Sequence, residues 1–211
     1  MITVQIEEID DISIDVGSED DVPPLYLLSK KKNGVKIYQI SPADHEKRPI
    51  EAVKHVLTNF LIQKNKFPIY LYLEVYPDLM VDFKHENIDF EVVHLEDFKK
   101  RDYEGDRFVG FYQVLRVKID NESVLRHIIN RTYNLATIHF LYQLSYNEHL
   151  DFKVYKSPVD AVVPIYHMLE SSSYIIAGYD GLYLELITNE PEFMELHQLA
   201  RFLSAIVNVK I

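Results

Sequence analysis

The chain has 211 residues, 47% apolar and 26% charged, with 33 carboxylates against 22 basic side chains and a formal net charge of −11. These are globular values for one domain or two small ones, and they exclude global disorder. The absence of cysteine excludes disulfides, a thiolate nucleophile, cysteine zinc sites and cysteine-ligated iron–sulfur clusters.

The charge is unevenly placed. Glu7, Glu8, Asp10, Asp11, Asp15, Glu19, Asp20 and Asp21 all precede the first basic residue, Lys30. Residues 22–211 then carry a net charge of only −3. Ile2, Val4 and Ile6 share one face of an alternating stretch, and Ile12, Ile14 and Val16 repeat the pattern. This predicts an acidic N-terminal hairpin within an arm of residues 1–24, followed by a single domain over 25–211. An acidic start is not the basic n-region of a secretory signal. No apolar run approaches the ~18–20 residues that cross a bilayer. The expectation is a cytoplasmic protein.

Residues 25–29 and 35–40 read as two strands joined by a turn at Asn33-Gly34, a strong hairpin signal. Pro49 then opens a helix over 49–64, with Ile50, Val53, Val56, Leu57, Phe60 and Leu61 at helical spacing. Residues 68–76 form the cleanest strand. Ile69, Leu71, Leu73 and Val75 face one way, and Tyr70, Tyr72, Glu74 and Tyr76 face the other. Residues 78–107 are dense in both charges, with a short strand at 88–93. They form a surface excursion or an internal boundary.

A long strand is expected over 108–119, and a helix from about 122 to 134 behind the caps of Asp120 to Ser123. Residues 137–146 are rich in β-formers yet also keep helical spacing, and strand is the choice. Ser157-Pro158 reads as a helix start that Pro164 would stop or kink. Residues 173–178 and 182–187 form a hairpin around Tyr179-Asp180-Gly181. Asn189, with Glu192 three residues on, caps a last helix whose buried face runs from Phe193 to Val207. The order predicts an α+β fold, mainly antiparallel sheet with three to four helices packed on one face.

Few common reaction chemistries find their motifs. There is no Gly-Lys-Ser/Thr, and the six glycines never form a phosphate cradle. Gly-x-Ser-x-Gly and His-Glu-x-x-His are also missing. Asp44-His45-Glu46, His85-Glu86, Glu51 with His55, and His149-Leu-Asp151 set imidazoles beside carboxylates. Their irregular spacing favours exposed polar residues over a metal site, and His139 reads as a half-buried core histidine. Arg126, His127 and Arg131 could meet an anion, but a solvated helix face explains them as well. No catalytic, cofactor or metal residue is assigned.

Three tyrosines in a row can stack on a partner. A covering layer that makes them core is the competing reading. The acidic segment admits three readings: a charged edge that blocks strand aggregation, a divalent-cation site that lacks the ligand order of a calcium loop, and a docking surface. Its net charge disfavours direct nucleic-acid or membrane binding and favours a basic protein partner. The expected function is a non-enzymatic binding protein of immunity or antagonist type. Its partner residues would be Glu7, Glu8, Asp10, Asp11, Asp15, Glu19, Asp20, Asp21, Tyr70, Tyr72 and Tyr76. The alternatives are a small hydrolase or transferase built on Asp44, His45, His149 and Asp151, and an assembly subunit.

Overall fold

The computed structural model describes residues 2–9, 24–29, 34–96, 98–104, 107–138, 141–156 and 160–211. A nine-stranded sheet runs in the order β14 (Asn208–Lys210), β1 (Thr3–Glu8), β3 (Lys36–Pro42), β13 (Leu184–Thr188), β12 (Ser173–Ala177), β9 (Tyr142–Ser145), β4 (Ile69–Val75), β8 (Gln113–Ile119), β5 (Phe90–Val93). Every pairing is antiparallel except β1 with β14. A second sheet holds β10 (Asp151–Tyr155), β11 (Ala161–Tyr166) and β2 (Leu27–Leu28). A ribbon pairs β6 (Arg101–Glu104) with β7 (Arg107–Phe111).

Four helices, α1 (Pro49–Lys64), α2 (Pro77–His85), α3 (Glu122–Thr132) and α4 (Leu196–Leu203), bury side chains in one cluster. Val56, Leu57 and Phe60 of α1, Phe83 of α2, Ile128 of α3 and Leu203 of α4 meet Ile40, Leu71, Leu73, Leu115, Leu144, Ile175 and Leu186 of the sheet there. The α+β expectation with helices on one face is met. The opposite face carries its own cluster. Ile37, Tyr174, Ile176 and Ile187 of the nine-stranded sheet pack against Tyr26, Tyr166 and Met168. Tyr166 stacks between Tyr26 and Tyr174, with ring centroids 5.4 and 4.2 Å away. The second sheet is therefore a cover for the face that the helices leave open.

Local chemistry explains the ends of the elements. Pro49 starts α1, where a missing N–H costs nothing, and Asn65 ends it in the left-handed conformation. The side-chain oxygen of Asn121 accepts the Val124 N–H and caps α3. Between β12 and β13, Gly181 turns the chain at φ +63°. The Tyr183 ring lies 2.1 Å from where a Cβ on Gly178 would sit, so this turn admits no side chain there.

Several sequence expectations need correction. Residues 25–29 and 35–40 do not form a hairpin: β2 pairs with β11 and β3 with β1 and β13, in different sheets. Gly34 does take the positive φ of +95° that its turn signal promised. The strand over 108–119 is broken at Tyr112, and its first half leaves for the ribbon. Within residues 78–107, α2 buries Leu79 and Phe83 in the main core and β5 pairs with β8.

Among the described residues of 137–146, only Tyr142–Ser145 is strand. Tyr133–Ile138 continues α3 as a 3-10 helix. The helix expected after Ser157 is strand β11, with Pro164 inside it. β2 pairs only with Ile165 and Tyr166, so Pro164 lies where one edge is unpaired among the described residues. The last helix is capped by a reciprocal pair of Glu195 and Gln198 and not by Asn189, which binds the Ser172 N–H and the Leu169 carbonyl. The second strand of the acidic hairpin, residues 12–16, lies outside the described residues. β1 itself sits between β3 and β14.

Leu71 is fully buried in the middle of β4. Leu71→Ala is expected to cost roughly 2–5 kcal/mol of unfolding free energy, and Asn121→Ala roughly 1 kcal/mol, in urea titrations.

Candidate functional site

Glu7 and Glu8 are the described members of the acidic set, and Asp10, Asp11, Asp15, Glu19, Asp20 and Asp21 lie outside the described residues. Strand alternation sends the two glutamates to opposite faces. Glu7 accepts a hydrogen bond from Gln39 Nε2 at 3.3 Å, and Glu8 accepts one from Lys36 Nζ at 2.5 Å. Both ends of the intervening segment are fastened. The Ile9 N–H donates to the Ile37 carbonyl at 2.9 Å, and Ile9 and Leu25 both pack against the Tyr26–Tyr166–Tyr174 cluster.

The tyrosine row is not a docking surface. Tyr70 and Tyr72 are only 7% and 1% exposed. Phe152 of β10 lies 5.7 Å from the Tyr72 ring, and the Tyr72 hydroxyl donates to the Glu148 carbonyl. The Arg116 guanidinium sits 6.0 Å from the Tyr70 ring. Tyr76 follows the end of β4 and packs, half-buried, against the helix-side core. The competing reading, a covered face, is the one the structure bears out.

That covered face holds a polar row invisible in any single segment. Reading the registers across the sheet, Glu7 pairs with Gln39, Gln39 with Glu185, Glu185 with Ile176, Ile176 with Gln143, Gln143 with Tyr72, Tyr72 with Arg116 and Arg116 with Glu91. Cross-strand partners share a face, so these eight side chains line one path across eight strands. Its outer members have charge partners, such as Arg116 with Glu91. Its centre is dry. Gln143 is fully buried and accepts the Tyr166 hydroxyl, while its Nε2 finds no partner among the described residues. Glu185 is 5% exposed, and burial alone pushes its carboxyl up to about 7.

One step along the same face of β4, buried Glu74 meets Lys100 Nζ at 2.5 Å, and that ammonium also sits 4.8 Å from the Tyr112 ring. Burial raises the Glu74 carboxyl, and Lys100 opposes the shift.

The histidine–carboxylate candidates do not converge. Asp151 binds His167 at 2.7 Å, and His149 Nδ1 lies 3.3 Å from Arg116. Asp44 and His45 are exposed in the turn after β3. Among the described residues these four make no hydrogen bond to one another, and no three His, Asp or Glu side chains gather to hold a metal ion. His139 lies outside the described residues. Arg126 pairs with Glu122 on its own helix.

Arg131 reaches Asp82 and Glu86 at 2.6 and 3.1 Å, and His127 meets Glu86 at 3.2 Å. Arg131 first and His127 second hold Glu86 below the usual carboxylate range. These ion pairs tie α2 to α3 beside an open groove of about 360 Å³ lined by Asp89, Lys118, Asp120 and Ser123. With His127 57% exposed and Glu86 shared with Arg131, the arrangement is a surface ion-pair network between two helices.

Comparison with protein-family models, with curated proteins and with solved structures returns no match.

Lys100→Met would strand the Glu74 carboxyl in the interior and is expected to destabilise the protein by roughly 3–5 kcal/mol. Glu74 without its cation keeps a raised folded-state value, so stability is lost as pH rises above the unfolded-state range. The loss measured by urea titration should therefore be larger at pH 8 than at pH 5, and Glu74→Gln added to Lys100→Met should recover part of it.

Proposed function

We propose that this protein is a non-enzymatic binding protein that docks on a basic partner surface through its acidic N-terminal segment, as immunity and antagonist proteins do. The observation that carries the reading is the separation of charge. Eight carboxylates stand in residues 1–21 with no basic side chain among them. Cations of the remaining chain are engaged by its own acids: Lys64 by Glu190 and Glu192, Lys100 by Glu74, Arg116 by Glu91, Lys118 by Asp120 and Arg131 by Asp82 and Glu86. Residues 22–211 are close to charge balance at −3, against −8 for residues 1–21, although Glu8 is paired with Lys36.

Carboxylates this dense fall within a few Debye lengths of one another, about 8 Å each at physiological salt. They repel each other and draw a complementary basic surface, which raises association rate more than intrinsic affinity. With Tyr70 and Tyr72 buried, the acids alone carry the recognition. Among the described residues no helix is long and apolar enough to cross a membrane.

The test neutralises the segment without removing it, because β1 lies between β3 and β14 and its deletion would open the sheet. The eight acids are changed to Asn and Gln. Wild type should retain a basic protein from source-cell lysate at low salt and release it at high salt, and the neutral variant should not retain it. With that protein in hand, stopped-flow association of the variant should be at least about tenfold slower at low ionic strength and nearly independent of salt. Equal rates and equal salt slopes for the two chains would refute the docking role.

A further inference from the structure

We propose that Glu185 makes the seam between the two sheets sensitive to pH: as its carboxyl ionises, the three-stranded sheet loosens from the nine-stranded one, together with the anchorage of both ends of the acidic segment. The inference concerns the seam itself and stands whether or not the segment docks on a partner.

Glu185 sits on β13 at the centre of the polar row, and it faces the second sheet. Its neighbours in register are Gln39 on β3 and Ile176 on β12. From the second sheet Tyr166 of β11 reaches the same row, donating its hydroxyl to Gln143 two strands from Glu185; burial most of all, then Tyr26 and then Glu185 push its phenol up. Tyr166 in turn stacks on Tyr26 and Tyr174 and binds Gln143. Tyr26 and Tyr166 are therefore the titratable groups facing Glu185 from the covering layer. Beyond Gln39 on the sheet lies Glu7, an acid and not a counter-ion. No cation among the described residues offsets a charge on Glu185, and burial is the whole cause of its shift.

A carboxylate with no cation and no hydrogen-bond partner is far more costly to bury than the protonated acid. Opening the seam returns Glu185 to water, where its ordinary value of 4.5 applies instead of about 7. The ionised form therefore favours the open state. The stabilisation of the closed state is full below the ordinary value and falls as pH rises toward the folded-state value. With these two values, the opening constant rises about tenfold between pH 6 and pH 8 and levels off above that.

The elements that would move are also the segment's anchors. β2 follows Leu25 and Tyr26 and hangs on β11 through two register pairs, and the Ser29 N–H donates to the Tyr166 carbonyl at 3.1 Å. A looser β11 therefore loosens residues 24–29, and the shared cluster carries the effect to Ile9.

Amide hydrogen exchange resolved to peptides tests this. After correction for the intrinsic chemical rate, protection over 25–29 and 161–166 in wild type should fall about tenfold from pH 6 to pH 8. In Glu185→Gln, which keeps shape and removes the charge, protection should be equal at both values. The His167–Asp151 contact at 2.7 Å is present in both chains, so the comparison isolates the effect of Glu185. Equal protection of wild type at the two pH values would overturn the proposal. So would a fall of the same size in Glu185→Gln.

Discussion

A sheet of nine strands has two faces, and β4 lies among strands that are buried on both. Its residues Ile69 to Val75 are all buried. The rest of the structure follows from having to cover each side. Four amphipathic helices close one face with apolar side chains. The other face cannot be closed that way, because its strands carry Tyr72, Glu74, Gln143 and Glu185. A second, smaller sheet covers it, and its tyrosines bring both ring surface and hydroxyls. This division also decides which surfaces are left to meet a partner.

The two faces differ in their energetics. On the helix side, burial of apolar area does the stabilising work, and single truncations leave cavities. On the tyrosine side, each polar group must find a partner or shift its protonation. Glu74 has found Lys100, whereas Glu185 has found none among the described residues and stays protonated over the range where ordinary carboxylates are charged. Ile9 and Leu25 pack at this second, more conditional layer. The charge of residues 1–21 and the buried carboxyl act by different physics: one is long-ranged and screened by salt, the other is local and set by burial.

Much of the helix face was legible in the sequence. The 3.6-residue spacing from Ile50 to Leu61 and the proline at 49 place α1 to the residue. The alternation of 69–75 places β4, and Tyr179-Asp180-Gly181 places the β12–β13 turn. What did not show was partner choice. Asn33-Gly34 marks a turn, but a turn does not say that the flanking strands pair, and here they enter different sheets. Pro164 argued for a helix break because a proline in a strand is legible only once the strand's edge is known. The capping pair was sought at Asn189 and Glu192, yet the same reciprocal chemistry occurs at Glu195 and Gln198. The polar row was out of reach altogether: its eight members come from eight segments, and only the register joins them. Of the candidate site, the charge asymmetry could be read directly. The outward tyrosine row could not be told from a covered one, since period-two alternation says which residues share a face and not what lies over it.

Tyrosine nitration by tetranitromethane, mapped by peptide mass spectrometry, tests the two-sided cover of the sheet most directly. Tyr70, Tyr72, Tyr166 and Tyr174 should stay unmodified in the native protein and react only after unfolding in urea. Nitration of Tyr70 and Tyr72 in the native protein at the rate seen for the unfolded chain would contradict the account, and would return the tyrosine row to the docking surface.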